Sequence, residues 1–149
     1  MTMHRRPLGQ GRLLAAAGAV AILVASFLAW YTAGGDAGGL NPVSCTAFDG
    51  RCGTAGGMID FIVALLILAL VALPYASGDR PVAVDRALSF LMLTIVGWLA
   101  LLYALVSFVT AGDLAGLRPD RAAGSWLALI GLIVLARATY LISRGGDRN

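Results

Sequence analysis

The chain has 149 residues, 59% hydrophobic and 13% charged, with a formal net charge of +3 and a mean hydropathy of +0.84. Soluble domains carry about 25% charged residues, and a fold this small leaves much of its surface wet, so lipid rather than water is the expected solvent. The charge comes from 11 Arg against 8 Asp, with no Lys and no Glu. These arginines form no basic stripe and no base-stacking platform accompanies them, which argues against a nucleic-acid partner.

A basic tail with His4, Arg5, Arg6 and Arg12 precedes the first apolar run, residues 13–31. At 1.5 Å per residue this run reaches about 28 Å, close to the roughly 30 Å hydrocarbon core, and predicts the first helix. A cleavable signal peptide is the competing reading. It is disfavoured because the run exceeds the roughly 7–15 residues of such a core, and three more spans follow. Residues 32–57 form a polar, glycine-rich loop with Asp36, Asn41-Pro42, Asp49-Gly50, Cys45 and Cys52. The second helix is expected at about 58–76, with Pro74 near its end, where a lost backbone hydrogen bond costs least. A short connection holding Asp79, Arg80 and Asp85 leads to the third helix, about 87–111. Another with Asp113, Arg118, Asp120 and Arg121 leads to the fourth, about 124–143. No internal repeat is present, and the aqueous segments are too short for a second domain. The expected architecture is all-α: one membrane domain over residues 1–149, folded as a four-helix bundle.

Short Arg-rich loops stay in the cytoplasm. The tails and the second loop share Arg5, Arg6, Arg12, Arg80, Arg86, Arg144 and Arg148, against Arg51, Arg118 and Arg121 on the other side. This bias predicts an inner (plasma) membrane protein with both termini inside and loop 32–57 extracytoplasmic. Trp30, Tyr31 and Trp126 then fall at the outer interface, and Tyr75 and Tyr140 near the inner one, depths that amphipathic rings prefer.

Cys45 and Cys52 lie together in the oxidising compartment, so a disulfide is expected, stabilising by roughly 2–3 kcal/mol in the chain-entropy model. Free thiols, a redox pair and metal ligands remain as alternatives. The redox reading lacks a C-x-x-C motif. Four-helix membrane oxidoreductases that serve quinones are similar in topology but use two cysteine pairs. Two thiolates leave a tetrahedral metal site incomplete, and the single His4 is across the membrane.

Asp60 and Arg137 are the candidate functional polar residues, because an ionisable group at a span is a functional hypothesis. Asp60 is expected in the first turn of the second helix, as an interface cap complementing the positive helix end. A proton or cation site is the sharper alternative. Arg137 lies roughly 20 Å along the fourth helix from Gly124. Its stem is expected to snorkel to the headgroups. Pairing with Asp79 or Asp85, or an anion or lipid headgroup contact, are the other readings.

Small residues predict close helix packing: Ala17, Ala21, Ala25 and Ala29 on the first helix, Gly97, Ala100 and Ala104 on the third, Gly124, Ala128 and Gly131 on the fourth. These seams suit an intramolecular bundle, with a partner's helix as the alternative. Trp98 and Tyr103 are expected to pack or face lipid. No intramembrane His or Met pair exists to ligate haem.

The chain has no Walker loop, no dinucleotide-binding glycine fingerprint and no nucleophile elbow. No His could serve as a general base within the membrane. No catalytic, cofactor-binding or metal residues are therefore expected, and an enzyme is disfavoured. The tract from Gly124 to Ile130-Gly131, following Arg118 and Arg121, resembles the last helix of small uncharacterised four-helix integral membrane proteins of high-GC bacteria. The apolar stretch 60–77 resembles their second helix. The resemblance implies the fold and the membrane, but no activity. The expected role is a non-enzymatic accessory or scaffold subunit that binds another membrane protein. A small transporter or channel component working as a homo-oligomer is the alternative, weakened by the absence of the embedded glutamate that small multidrug exporters use. A thiol-redox protein ranks third.

Overall fold

A computed structural model describes residues 9–33, 43–49, 55–76, 86–110 and 120–144, with backbone only for 33, 43, 86 and 108–110. The chain runs α1 (Gln10–Phe27), β1 (Tyr31–Ala33), β2 (Val43–Cys45), α2 (Ala55–Ala76), α3 (Arg86–Thr110), β3 (Asp120–Arg121) and α4 (Ala123–Ser143). All four helices are long and apolar enough to cross a membrane. Each packs on two neighbours, in the ring α1–α2–α3–α4 and back to α1, and the α1–α4 contact is the most extensive.

Side-chain size, more than polarity, separates inside from outside. The interior is filled by Ala15, Ala19, Ala25, Ala64, Ala104, Ala128 and Ala138, with Ile22, Ile67, Leu101, Leu132 and Leu135 between them. The exterior carries large apolar groups, among them Val20, Ile62, Leu66, Leu91, Met92, Leu99, Leu102, Ile130 and Ile133. Soluble monomers rarely expose contiguous apolar patches above a few hundred Å², so water does not favour this surface.

The α1–α4 seam depends on glycine. A Cβ on Gly18 would lie 2.8 Å from the Gly131 carbonyl oxygen, and one on Gly124 would lie 2.7 Å from that of Ala29. Backbone blocks both positions, so only glycine permits the approach. This seam runs through Gly11, Ala15, Gly18, Ile22 and Ala25 and meets the expected ridge of alanines only at Ala25: Ala17 is exposed, and Ala21 and Ala29 are only half-buried. The seams expected on α3 and α4 are buried within the bundle.

The first helix begins at Gln10, three residues before the expected 13. Two further boundaries differ from the sequence expectation for physical reasons. The first helix stops at Phe27 rather than residue 31, because its last carbonyls find other donors. The Leu28 amide (3.2 Å) and the Trp30 indole N–H (2.9 Å) both donate to the Ala25 carbonyl. Trp30 and Tyr31 then enter extended structure, which aromatic residues favour. The second helix begins at Ala55, not 58, and takes in Gly56 and Gly57. A Cβ on Gly56 would collide with the Ala100 carbonyl, and one on Gly57 would lie 2.8 Å from the Ala47 Cβ. Both glycines serve close packing instead of breaking the helix.

The expected structureless loops contain a small antiparallel sheet of order β2-β1-β3, pairing Tyr31 with Cys45 on one side and with Arg121 on the other. The Trp30 amide donates to the Cys45 carbonyl (2.8 Å), the Ala122 amide to the Trp30 carbonyl (2.9 Å) and the Gly124 amide to the Ala29 carbonyl (2.8 Å). The last bond satisfies an amide at the start of α4 that the helix itself cannot. Beside the sheet, Phe48 packs tilted against Phe27 and edge-on against Phe61, at 5.4 and 5.2 Å between centroids, and Phe27 meets Phe61 edge-on at 6.0 Å.

Gly18→Leu should destabilise the bundle by about 1–3 kcal/mol through overpacking. Ala17→Leu, one residue away on the exposed face, should stay within about 0.5 kcal/mol. Reversible unfolding in detergent distinguishes them; equal effects would place the seam elsewhere.

Candidate functional site

Asp60 sits in the second turn of α2, roughly 8 Å from the helix start. It is fully buried, and the first turn of α2 holds no acidic residue. A Cβ on Gly97 of α3 would lie 3.6 Å from Asp60 Oδ1, 2.8 Å from Leu132 Cδ2 of α4 and 3.5 Å from Val63 Cγ1 of α2. The carboxyl is thus enclosed where three helices meet. Neither of its oxygens has a hydrogen-bond partner. The expected interface cap is therefore corrected: the side chain turns into the bundle and caps nothing. A carboxyl without donors in apolar packing is a costly group to keep, which marks a site whose purpose is not stability.

The other buried polar groups on the helices are hydroxyls with partners. Thr94 Oγ1 donates to the Phe90 carbonyl (2.7 Å) and lies 2.8 Å from Thr139 Oγ1, joining α3 to α4. Ser26 Oγ donates to the Ile22 carbonyl at 2.9 Å, and Ser125 Oγ to the Ala122 carbonyl at 2.9 Å. The Thr94–Thr139 bridge was not foreseen. Its only sequence signal, a hydroxyl within an apolar span, is weak because such groups commonly bond to their own helix.

Arg137 lies on the exposed face of α4, five residues beyond Leu132 and away from Asp60, so the two do not pair, as their expected depths implied. Its guanidinium carbon stands 5.6 Å from the Tyr140 ring centroid, and that of Arg144 stands 4.5 Å from the same ring. Two cations thus share one aromatic ring, the geometry of cation–π attraction. The expected partners Asp79 and Asp85 lie outside the described residues. Trp98 is half-buried against the core, and Tyr103 is exposed.

Trp30 and Tyr31, expected at the outer interface, are buried within the bundle, at 0% and 3% exposure. The Tyr31 hydroxyl donates to the Ala104 carbonyl (3.2 Å), tying the sheet to α3. Burial raises its pKa above the ordinary value near 10, and the charge of Arg121 opposes the shift without cancelling it. Trp126, Tyr75 and Tyr140 remain exposed.

Cys45 ends β2 and is buried. Cys52 lies outside the described residues, and so does the expected pairing. Asp49 has a turn role: its Oδ2 accepts from the Thr46 amide (2.9 Å) and the Thr46 hydroxyl (3.2 Å). Among the described residues, no three His, Cys, Asp or Glu side chains come together as metal ligands would.

Asp60→Leu keeps the branching of the side chain and removes the unsatisfied oxygens. It should leave thermal stability in detergent unchanged or raise it by up to about 1–3 kcal/mol. A marked loss would show that the carboxyl has a structural partner. Tyr31→Phe should cost about 1 kcal/mol at neutral pH by removing the bond to Ala104. Because folding raises the Tyr31 pKa, its stabilising contribution is intact below about pH 10 and is lost as pH rises through the folded value. Denaturation at increasing pH should show this alkaline decline in the native chain, and a weaker one in the variant.

Comparison of the chain with protein-family models, curated proteins and solved structures finds no match. The functional assignment therefore rests on the bundle's own chemistry.

Proposed function

We propose that the chain is a multi-pass protein of the inner (plasma) membrane with both termini in the cytoplasm, acting as a non-enzymatic accessory or scaffold subunit of a membrane complex. The carrying observation is the division of side chains by size. Glycine and alanine close the bundle on itself, while large apolar groups cover the outside of every helix. Lipid tails and the helices of a partner are the surroundings that suit such a surface. The excess of arginines over the tails and second loop supports the orientation. In this orientation the sheet and Cys45 face the oxidising side. A Cys45–Cys52 bond there accords with the absence of any free cysteine among the described residues.

Asp60 favours a second reading, a small transporter or channel component that works as a homo-oligomer. Intramembrane carboxyls facing a bundle interior mark ion and proton pathways.

The chain should stay in membranes through alkaline washing. A C-terminal fluorescent fusion should be bright, and a C-terminal phosphatase fusion silent. Gentle detergent extraction should recover a different membrane protein in stoichiometric amount, and its level should fall when this chain is deleted. Recovery of self-assemblies alone, with a transport activity lost in Asp60→Asn, would replace the scaffold reading with the second one.

A further inference from the structure

Asp60 is the one charged-type side chain fully enclosed among the described residues. Its surroundings define what it could bind. Gly97 faces it from α3, Leu132 closes the same space from α4, and Val63 flanks it on α2. None of these side chains carries an oxygen or nitrogen. A metal ion of the calcium or magnesium type needs about six oxygen ligands, and one carboxyl cannot supply them. The space is also short: a single methyl on Gly97 would already press on Leu132. A hydrated ion has no room there.

The titratable groups on the surrounding elements lie away from this point. On α2 the other one is Tyr75, exposed near the far end; on α4 they are Arg137 and Tyr140, both exposed. On α3, Tyr103 is exposed, and Arg86 stands at the opposite end of the helix from Tyr103. Tyr31 reaches α3 at Ala104, about 10 Å along the helix from Gly97. Arg12 lies in the first turns of α1, at the opposite end of that helix from the Trp30 cap.

We propose that Asp60 is a proton-binding site inside the bundle, whose occupancy controls the closure of α2 on α3. The proton adds to one carboxylate oxygen, coming from water at the end where α2 begins, and no other bond forms or breaks. With the proton bound, the carboxyl carries no charge and fits the apolar enclosure as it stands. With the proton gone, the carboxylate needs water or donors that the closed packing does not offer. Water reaches it when the tight contacts of Gly56 with Ala100 and Ala104, and of Gly97 with Val63, part. The inference rests on the membrane reading above and is independent of the scaffold role.

The test uses the full chain in lipid nanodiscs, titrated with acid and base and followed by infrared spectroscopy and amide hydrogen exchange. The native chain should show the carbonyl stretch of one protonated carboxyl at neutral pH, absent from Asp60→Asn. That band should vanish on alkaline titration. Amides of α2 and α3 around Gly56 and Gly97 should then exchange faster by about tenfold beyond the intrinsic pH effect, with no such gain in Asp60→Asn. Asp60→Leu, expected to fold at least as well as the native chain, serves the same comparison if Asp60→Asn does not fold. Identical spectra for native and variant chains would overturn the proton site. Loss of the band without faster exchange would overturn the coupling to helix closure. Retention through alkaline washing scores membrane insertion separately, so failure of that reading is distinguishable from failure of this one.

Discussion

Backbone approach between α1 and α4 is the constraint on which the rest of the structure depends. Inside lipid, apolar side chains gain nothing by leaving their surroundings, so helices associate through contact area and shape. Gly18 and Gly131 let two backbones come within van der Waals range, where any side chain would hold them apart. The closeness there fixes the distance between the neighbouring helices, and hence the narrow interior that alanine fills. The same narrowness leaves Asp60 without room for a solvating partner.

Hydroxyl and carboxyl behave differently in that interior. Thr94, Thr139, Ser26 and Ser125 all find an oxygen to bond within a turn or across one helix contact. Each can donate its hydrogen to a carbonyl that its own helix provides. An ionised carboxylate only accepts, and the amides within a helix are already committed. A buried aspartate in a helix therefore depends on groups from other elements, and here those are Gly97 and Leu132, neither with a donor to offer. The contrast explains why the hydroxyls act as ties while Asp60 stands apart.

The number of helices, their approximate limits and the use of small residues for packing were all legible in the sequence, because length and composition govern them directly. Orientation of faces was not. The alanine ridge through Ala17 was a periodic signal in a chain so rich in alanine that many such ridges exist; the glycines at 11 and 18 decided the face. Gly56-Gly57 read as a helix breaker because composition cannot tell a glycine chosen for freedom from one chosen for small size. The burial of Tyr31 was not legible because the groups it meets, Ala104 and Arg121, lie far along the chain. Asp60 was identified as a candidate, but its burial is set by Gly97 and Leu132 on two other helices, which no local pattern encodes.

The sheet has a consequence for the order of assembly. Its middle strand follows α1, whereas one of its edge strands, β3, directly precedes α4. The helix with the most extensive contact to α1 is thus synthesised after α2 and α3, and the strand that latches the two together arrives with it. Until then α1 exposes its glycine groove with no occupant, and Trp30 lacks the amide that its carbonyl accepts. A nascent chain with three helices is thus an open clasp, completed only when β3 and α4 arrive, or when the same segment is supplied as a separate fragment.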